Sequence, residues 1–241
     1  MSVAGSDSGR GGEAGATRAA AGRRGRRLRR EQARAEVLRV ALELAGDAPF
    51  REVTVEEIAR RAGLSRSAFY THFRDKHDLL AVAVQDVAGE LYRMADRWWR
   101  GEGPPAERVR TALEGVVAVY AEHASLLRVA VEVSTYDDEV RQLWMGILER
   151  FIEATAEHIR SEQDKGLVNR ALDPRGTAES LVWMSERCSY VYLGRDERTP
   201  AELVEAMAPV WTAALYPGVI PAEELRPGTV GEAADAGASA E

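Results

Sequence analysis

The chain has 241 residues, 45% of them hydrophobic, enough for one large core or two small ones. It carries a net charge of −7 and one cysteine, Cys188, which excludes an intrachain disulfide and suits a reducing cytoplasm better than a secreted scaffold. No apolar run approaches the roughly 20 residues of a membrane span, and the Gly-, Ala- and Arg-rich N-terminus lacks the apolar centre of a secretory signal.

The charge is unevenly spread. Residues 1–30 hold eight Arg against Asp7 and Glu13, residues 31–80 are close to neutral, and the acidic excess lies beyond them. A basic front on an acidic body is expected where one end of a protein meets DNA. A solvated basic tail on an ordinary acidic protein gives the same split. Residues 1–29 are of low complexity and end in Arg23-Arg24-Gly25-Arg26-Arg27-Leu28-Arg29. They read as a disordered arm that either orders in a minor groove or stays solvated.

The first helix is expected from about Arg30 to Ala45, where Val37, Leu38, Ala41, Leu42 and Ala45 form one apolar stripe. Thr54-Val55-Glu56-Glu57 fits a capping box that opens a second helix with Ile58, Ala59 and Ala62 buried. Gly63 supplies the left-handed residue that closes it, Leu64 plugs the turn, and Ser65 caps the next helix. Ser65 to Lys76 reads as a short helix with Phe69 and Phe73 docked inward. Arg66, Ser67, Tyr70, Thr71 and His72 face outward. Helix, glycine turn and helix make a helix-turn-helix, whose second member enters the major groove. Asp75 caps a long helix from Lys76 to about Trp99. A cation in that first turn opposes the helix dipole and is best explained by a nearby phosphate.

Gly101-Glu102-Gly103-Pro104-Pro105 breaks the chain. Helices then follow over Ala106–His123, Ser125–Ser134, Asp137–Lys165, Pro174–Leu193 and Pro200–Leu215, with no strand alternation. The fold class is all-α. Residues 1–29 are the arm, 30–76 a DNA-binding domain, 77–217 an effector-binding and dimerisation domain, and 218–241 a disordered acidic tail.

The stretch Thr54–Leu80 resembles the DNA-binding head of the TetR family, with the likeness covering roughly residues 33–80. It implies an all-helical homodimer that binds near-palindromic operator DNA and is released by a small molecule. By that resemblance Tyr70 and Lys76 contact phosphates, which position without reading sequence. Arg66, Ser67, Thr71 and His72 are candidates for base edges, where Arg66 could address guanine in bidentate fashion, and the alternative for each is a solvated side chain on a small exposed helix. Thr54 and Ser65, as caps, stand where helix N-termini can meet a phosphate.

Residues Gln142-Leu143-Trp144, Phe151-Ile152, Ser161–Gly166, Trp183–Arg187 and Val210–Tyr216 resemble the ligand domain of the EthR subgroup of that family, which encloses an aromatic-lined apolar tunnel. The implied ligand residues are Trp144, Phe151, Thr155, Trp183, Ser185, Glu186, Tyr190 and Trp211. The chain departs from the subgroup at Ser185, where an Asn hydrogen-bonds ligands, and at Ala154, where a Tyr stands. Aromatic residues at this spacing equally suit a plain core. The effector implied is a hydrophobic small molecule, with no cofactor or metal. Pairing of the helices at 174–193 and 200–215 would make the dimer. A regulator whose body only dimerises fits the same residues. A helical enzyme is only a remote alternative: there is no nucleophile elbow, no phosphate loop and no metal-spaced His/Cys cluster.

Overall fold

The computed structural model describes residues 10–194 and 197–217. Every regular element among them is helical. In order they are α1 (Arg10–Asp47), a short 3-10 turn (Phe50–Glu52), α2 (Val55–Arg61), α3 (Arg66–Tyr70) and α4 (Lys76–Arg100). Then come α5 (Pro105–Glu122), α6 (Ala124–Val133), α7 (Asp138–Asp164), α8 (Pro174–Leu193) and α9 (Pro200–Leu215). The all-α reading holds.

From α4 onward each end falls within one residue of its expected place, because the stop and start signals are local. Gly166 closes α7 at φ 76°. The Asp173 side chain accepts from Gly176 N at 2.7 Å at the start of α8. A full capping box opens α9: Glu202 N donates to Thr199 Oγ1 and the Glu202 carboxylate accepts from Thr199 N. At α2 the box is only half made. Thr54 Oγ1 accepts from Glu57 N at 3.2 Å, but Glu57 turns forward to Arg60 and Arg61, at 2.7 and 2.9 Å. Two guanidinium groups outcompete one backbone amide for that carboxylate.

Two further expectations change. α1 begins at Arg10, not near Arg30. Low complexity pointed to disorder; residues 10–30 contain no Pro, and their eight Arg and five Ala favour a helix against five Gly that disfavour it. Residues 1–9 of the arm and the tail at 218–241 lie outside the described residues. The helix at Ser65–Lys76 is shorter than expected: α3 ends at Tyr70, and turns and bends intervene before α4.

The chain forms two compact units, Met1–Ala88 with His123–Met145 and Gly89–Glu122 with Gly146–Glu241. The contacts therefore do not divide at residue 76: α4 and α7 contribute to both units, and α6 belongs with the head. In the first unit Val37, Val40 and Leu44 of α1, Ile58 of α2, Phe69 of α3 and Leu79 of α4 are buried together. α6 is fastened to this core by polar links. Glu132 accepts from Phe50 N at 3.3 Å, and Arg128 donates to Ala45 O at 3.3 Å.

In the second unit α5 packs on α8 and α9. Its buried polar centre is Glu162, 1% exposed. Arg108 donates to it at 2.6 Å, Tyr216 donates its hydroxyl, and His158 Nε2 lies 3.3 Å away. Burial alone would raise this carboxyl. The partners His158, Tyr216 and Arg108 outweigh that and hold it at about 2. Burial and the Glu162 hydrogen bond raise the Tyr216 phenol in turn.

Candidate nucleic-acid interface and effector site

The turn between α2 and α3 is a Schellman closure. Gly63 sits at φ 68°, Gly63 N donates to Arg60 O at 3.3 Å, and Leu64 N donates to Ala59 O at 2.9 Å. Ser65 then caps α3, accepting from Ala68 N at 3.1 Å. Five residues cannot hold a helix in water. Phe69 and Phe73, both buried with ring centroids 5.6 Å apart, brace α3 from the inside.

The outer side is polar and exposed. Arg66, Ser67 and Thr71 are exposed, and Tyr70 is 45% exposed. Thr71 Oγ1 donates to Ala68 O at 2.7 Å, and the Ser65 and Ser67 hydroxyls lie 3.0 Å apart. Arg66 pairs with Glu56 of α2 at 2.7 Å and lies over the Tyr70 ring at 5.7 Å. An exposed pair of this kind is weak, so Arg66 is free to exchange Glu56 for a nucleic-acid group. Thr54 is exposed at the start of α2.

Two of the named residues stand differently. His72 is half-buried, and its Nδ1 is enclosed without a hydrogen bond. Burial first, then Arg30 and Arg34, lower its pKa below the usual imidazole value, so the ring is neutral at pH 7. Lys76 is turned inward. Its Nζ donates to Phe50 O, Arg51 O and Val53 O at 2.8, 2.9 and 2.7 Å. It also lies 5.2 Å from the Phe50 ring centroid. An ammonium has three donors, and all three are used. The cation in the first turn of α4 thus has an internal explanation, three carbonyls 23–26 residues upstream, that sequence spacing does not reveal.

The start of α4 is tied to the α6–α7 junction within the same unit. Arg74 bonds Asp78 and Glu139, the latter at 2.7 Å, and His77 Nδ1 lies 2.8 Å from Asp137 Oδ2. Asp75 caps α4, accepting from His77 N and Asp78 N, both at 2.8 Å.

The eight residues read as an effector site fall into separate groups. Trp144 is buried in the first unit. The other seven belong to the second. Phe151 is half-buried in an aromatic cluster with Tyr92 and Trp99, at 5.3 and 6.3 Å. Thr155 is buried on the same helix. Trp183 and Tyr190 are half-buried on α8. Trp211 donates its Nε1 to Ser185 Oγ at 3.0 Å and packs against Trp98 at 5.4 Å. Glu186 of α8 and Tyr120 of α5 are both buried. Nothing in the sequence marks Tyr120, one apolar-face residue among many on an amphipathic helix. Among the described residues no group of His, Cys, Asp or Glu is placed to hold a metal ion, and no helix is long and apolar enough to cross a membrane.

Residues 37–83 match the family model of bacterial regulatory proteins of the tetR family, and residues 109–217 match that of the EthR transcriptional regulator C-terminal domain. The chain is 27% identical to the HTH-type transcriptional regulator EthR of Mycolicibacterium smegmatis, over 85% of this chain and 95% of that protein. It is 30% identical to the HTH-type transcriptional repressor KstR2 of Rhodococcus jostii, over 64% of this chain and 78% of that protein. Its fold is similar to that of the transcriptional regulator FadR from Bacillus subtilis, solved in complex with stearoyl-CoA. That likeness has a TM-score of 0.63 at 17% identity and covers 76% of this chain and 99% of the other.

Proposed function

Because this chain belongs to the TetR family of helix-turn-helix transcriptional regulators, and is not an enzyme, we propose that it is a repressor whose homodimer grips a near-palindromic operator and lets go when a hydrophobic small molecule fills the second unit. The observation that carries the DNA-binding half is the two-sided α3. Phe69 is sealed into the core while Arg66, Ser67, Tyr70 and Thr71 stand exposed together. Arg66 is the candidate for direct base reading, and Tyr70 with the α2 N-terminus at Thr54 for phosphate contact.

One α3 reads too few bases for a specific site, so a second copy is needed. α8 and α9 suit that pairing. Val182, Met184 and Val191 on α8 are half-buried, and Val210 on α9 is 47% exposed. The effector half rests on the likeness of residues 109–217 to the EthR domain and on the aromatic groups at Phe151 and Trp183. FadR from Bacillus subtilis, of similar fold, was solved in complex with stearoyl-CoA, a ligand with a long apolar chain.

The test starts from DNA selected out of a random pool by the full chain. Arg66→Ala with Tyr70→Ala should weaken binding to that DNA by at least about tenfold, with the melting temperature preserved. Unchanged affinity, or a monomeric complex on a half-site, would overturn the reading.

A further inference from the structure

From Arg39 onward the arginines of the first unit are paired internally. Arg39, Arg60, Arg61, Arg66 and Arg74 among them pair with carboxylates, and Arg128 donates to Ala45 O. The first half of α1 is different. Arg30 and Arg34 have no carboxylate partner among the described residues. Arg27 has only Glu31, at 3.3 Å, with both side chains more than half exposed. An exposed pair of that kind holds its arginine weakly.

These three cations share a face. At 3.6 residues per turn, positions 27, 30, 34, 37 and 41 fall within about 80° of one another around α1. Val37 and Ala41 in that row are buried in the core, 0% and 1% exposed. The row is therefore core at one end and, toward the N-terminus, arginine. No side chain between residues 27 and 36 is buried, so packing does not account for this part of the helix. Like charges four residues apart, as Arg30 and Arg34 are, repel and weaken a helix, and an anion laid along the row removes that repulsion.

The row is also fixed relative to α3. The Arg34 guanidinium lies 5.0 Å from the centroid of the Phe73 ring, and Phe73 packs on Phe69 of α3 at 5.6 Å. Arg34 thus stands beside the loop that leaves α3, and Arg27 is about 10 Å further along the helix axis. Each strand of duplex DNA carries one phosphate per roughly 3.4 Å of axis, so the row is about as long as three phosphates.

We infer that Arg27, Arg30 and Arg34 bind the sugar-phosphate backbone flanking the half-site that α3 reads, as a rigid helical edge. This rests on α3 entering the major groove of that half-site. The contact takes its position from phosphates and reads no base. It differs from a flexible arm laid in a minor groove, because the cations stand on the same helix that carries Val37 and Ala41 into the core.

The test uses DNA selected by the full chain from a random pool. One duplex is trimmed to the positions where selection fixes the base, and another is extended at each end by about one helical turn of unrelated sequence. The full chain should bind the extended duplex at least about tenfold more tightly at low salt, whatever the flanking sequence. Arg27→Gln with Arg30→Gln and Arg34→Gln should lose that gain and still bind the trimmed duplex. On the extended duplex it should lower the slope of log affinity against log salt by about 5 for the dimer. Arg27→Gln with Arg30→Gln alone changes two exposed positions, and should give about two-thirds of that effect if losing the Arg34–Phe73 contact disturbs the head. Ala33→Pro keeps every arginine but kinks α1 just before Arg34, ahead of the first buried residue, Val37, so it should lose most of the gain. Equal affinity for the two duplexes, an unchanged slope in the arginine variants, or a gain that depends on the flanking sequence overturns the edge. A gain kept by Ala33→Pro gives the contact to a flexible arm and overturns it as well. In each of these cases the helix-turn-helix reading stands, whereas failure of the pool to yield any bound DNA counts against both.

Discussion

Lys76 offers a sharp contest between two roles. The family resemblance gives it a phosphate, whereas the structure gives it the carbonyls of Phe50, Arg51 and Val53 at 2.7–2.9 Å. Consider Lys76→Met, which keeps the apolar stem and removes the charge. Hydrogen bonds from a charged donor contribute about 1.5–3 kcal/mol each when fully protected. Here the Arg51 carbonyl is exposed and the other two are part-buried, so water replaces some of the loss. The net destabilisation expected is about 2–4 kcal/mol, read as a lower urea midpoint by circular dichroism. The second readout is the salt dependence of DNA binding. A phosphate contact contributes about 0.9 to the slope of log affinity against log salt, and a dimer would lose about 2 in total. An internal clasp predicts no change in slope, with weaker binding only as far as α3 is less well held. A slope shallower by about 2 with unchanged stability would refute the clasp and restore the phosphate contact.

The remaining expectations concern other links in the chain. Glu162 has a carboxyl held at about 2 against an ordinary 4.5, so the stability it contributes is complete above about pH 4.5 and is lost as pH falls toward 2. That contribution is roughly 3 kcal/mol, and Glu162→Gln should be less stable than the parent at pH 7 and less sensitive to acid between about pH 5 and pH 2; parallel acid-unfolding curves would contradict this. At Gly63 an added Cβ meets nothing within 4 Å, but φ is +68°. Gly63→Ala should therefore destabilise by about 1–2 kcal/mol through the backbone alone, measured by urea unfolding. Deleting residues 1–29 should make the salt dependence of DNA binding shallower, and an identical slope would show the basic segment idle.

Much of the fold was legible because its signals are short-range. Asp75, Asp173 and Thr199 cap helices within three residues of themselves, Gly63 and Gly166 close them, and the apolar stripes repeat every three or four positions. Such contacts are dictated by spacing along one helix and hold wherever the helix is packed. The inward faces of Phe69 and Phe73 follow by the same rule. Even locally, a competition is not settled by spacing. Glu57 has backbone and guanidinium partners in reach and takes Arg60 and Arg61, while Glu202, with a similar choice of cap, completes its box.

The sequence by itself determined an all-helical chain, the helix-turn-helix at Ala59–Phe73 and the polar outer side of α3. Only the tertiary structure decided where the polar atoms of distant segments meet. Lys76 finds carbonyls more than 20 residues away. Glu162 gathers Arg108 and Tyr216, each 54 residues from it. Trp211 spends its indole N–H on Ser185, and Glu186 is left buried without a hydrogen bond. Helix periodicity says which side of a helix is apolar, but not which polar group on a neighbouring helix arrives opposite it. That is set by how the helices pack, so the same Lys or Glu can be a contact for a partner or a clasp for its own chain. For the Ser65–Lys76 stretch the division is plain: spacing placed Arg66 and Tyr70 outside, and packing turned Lys76 in.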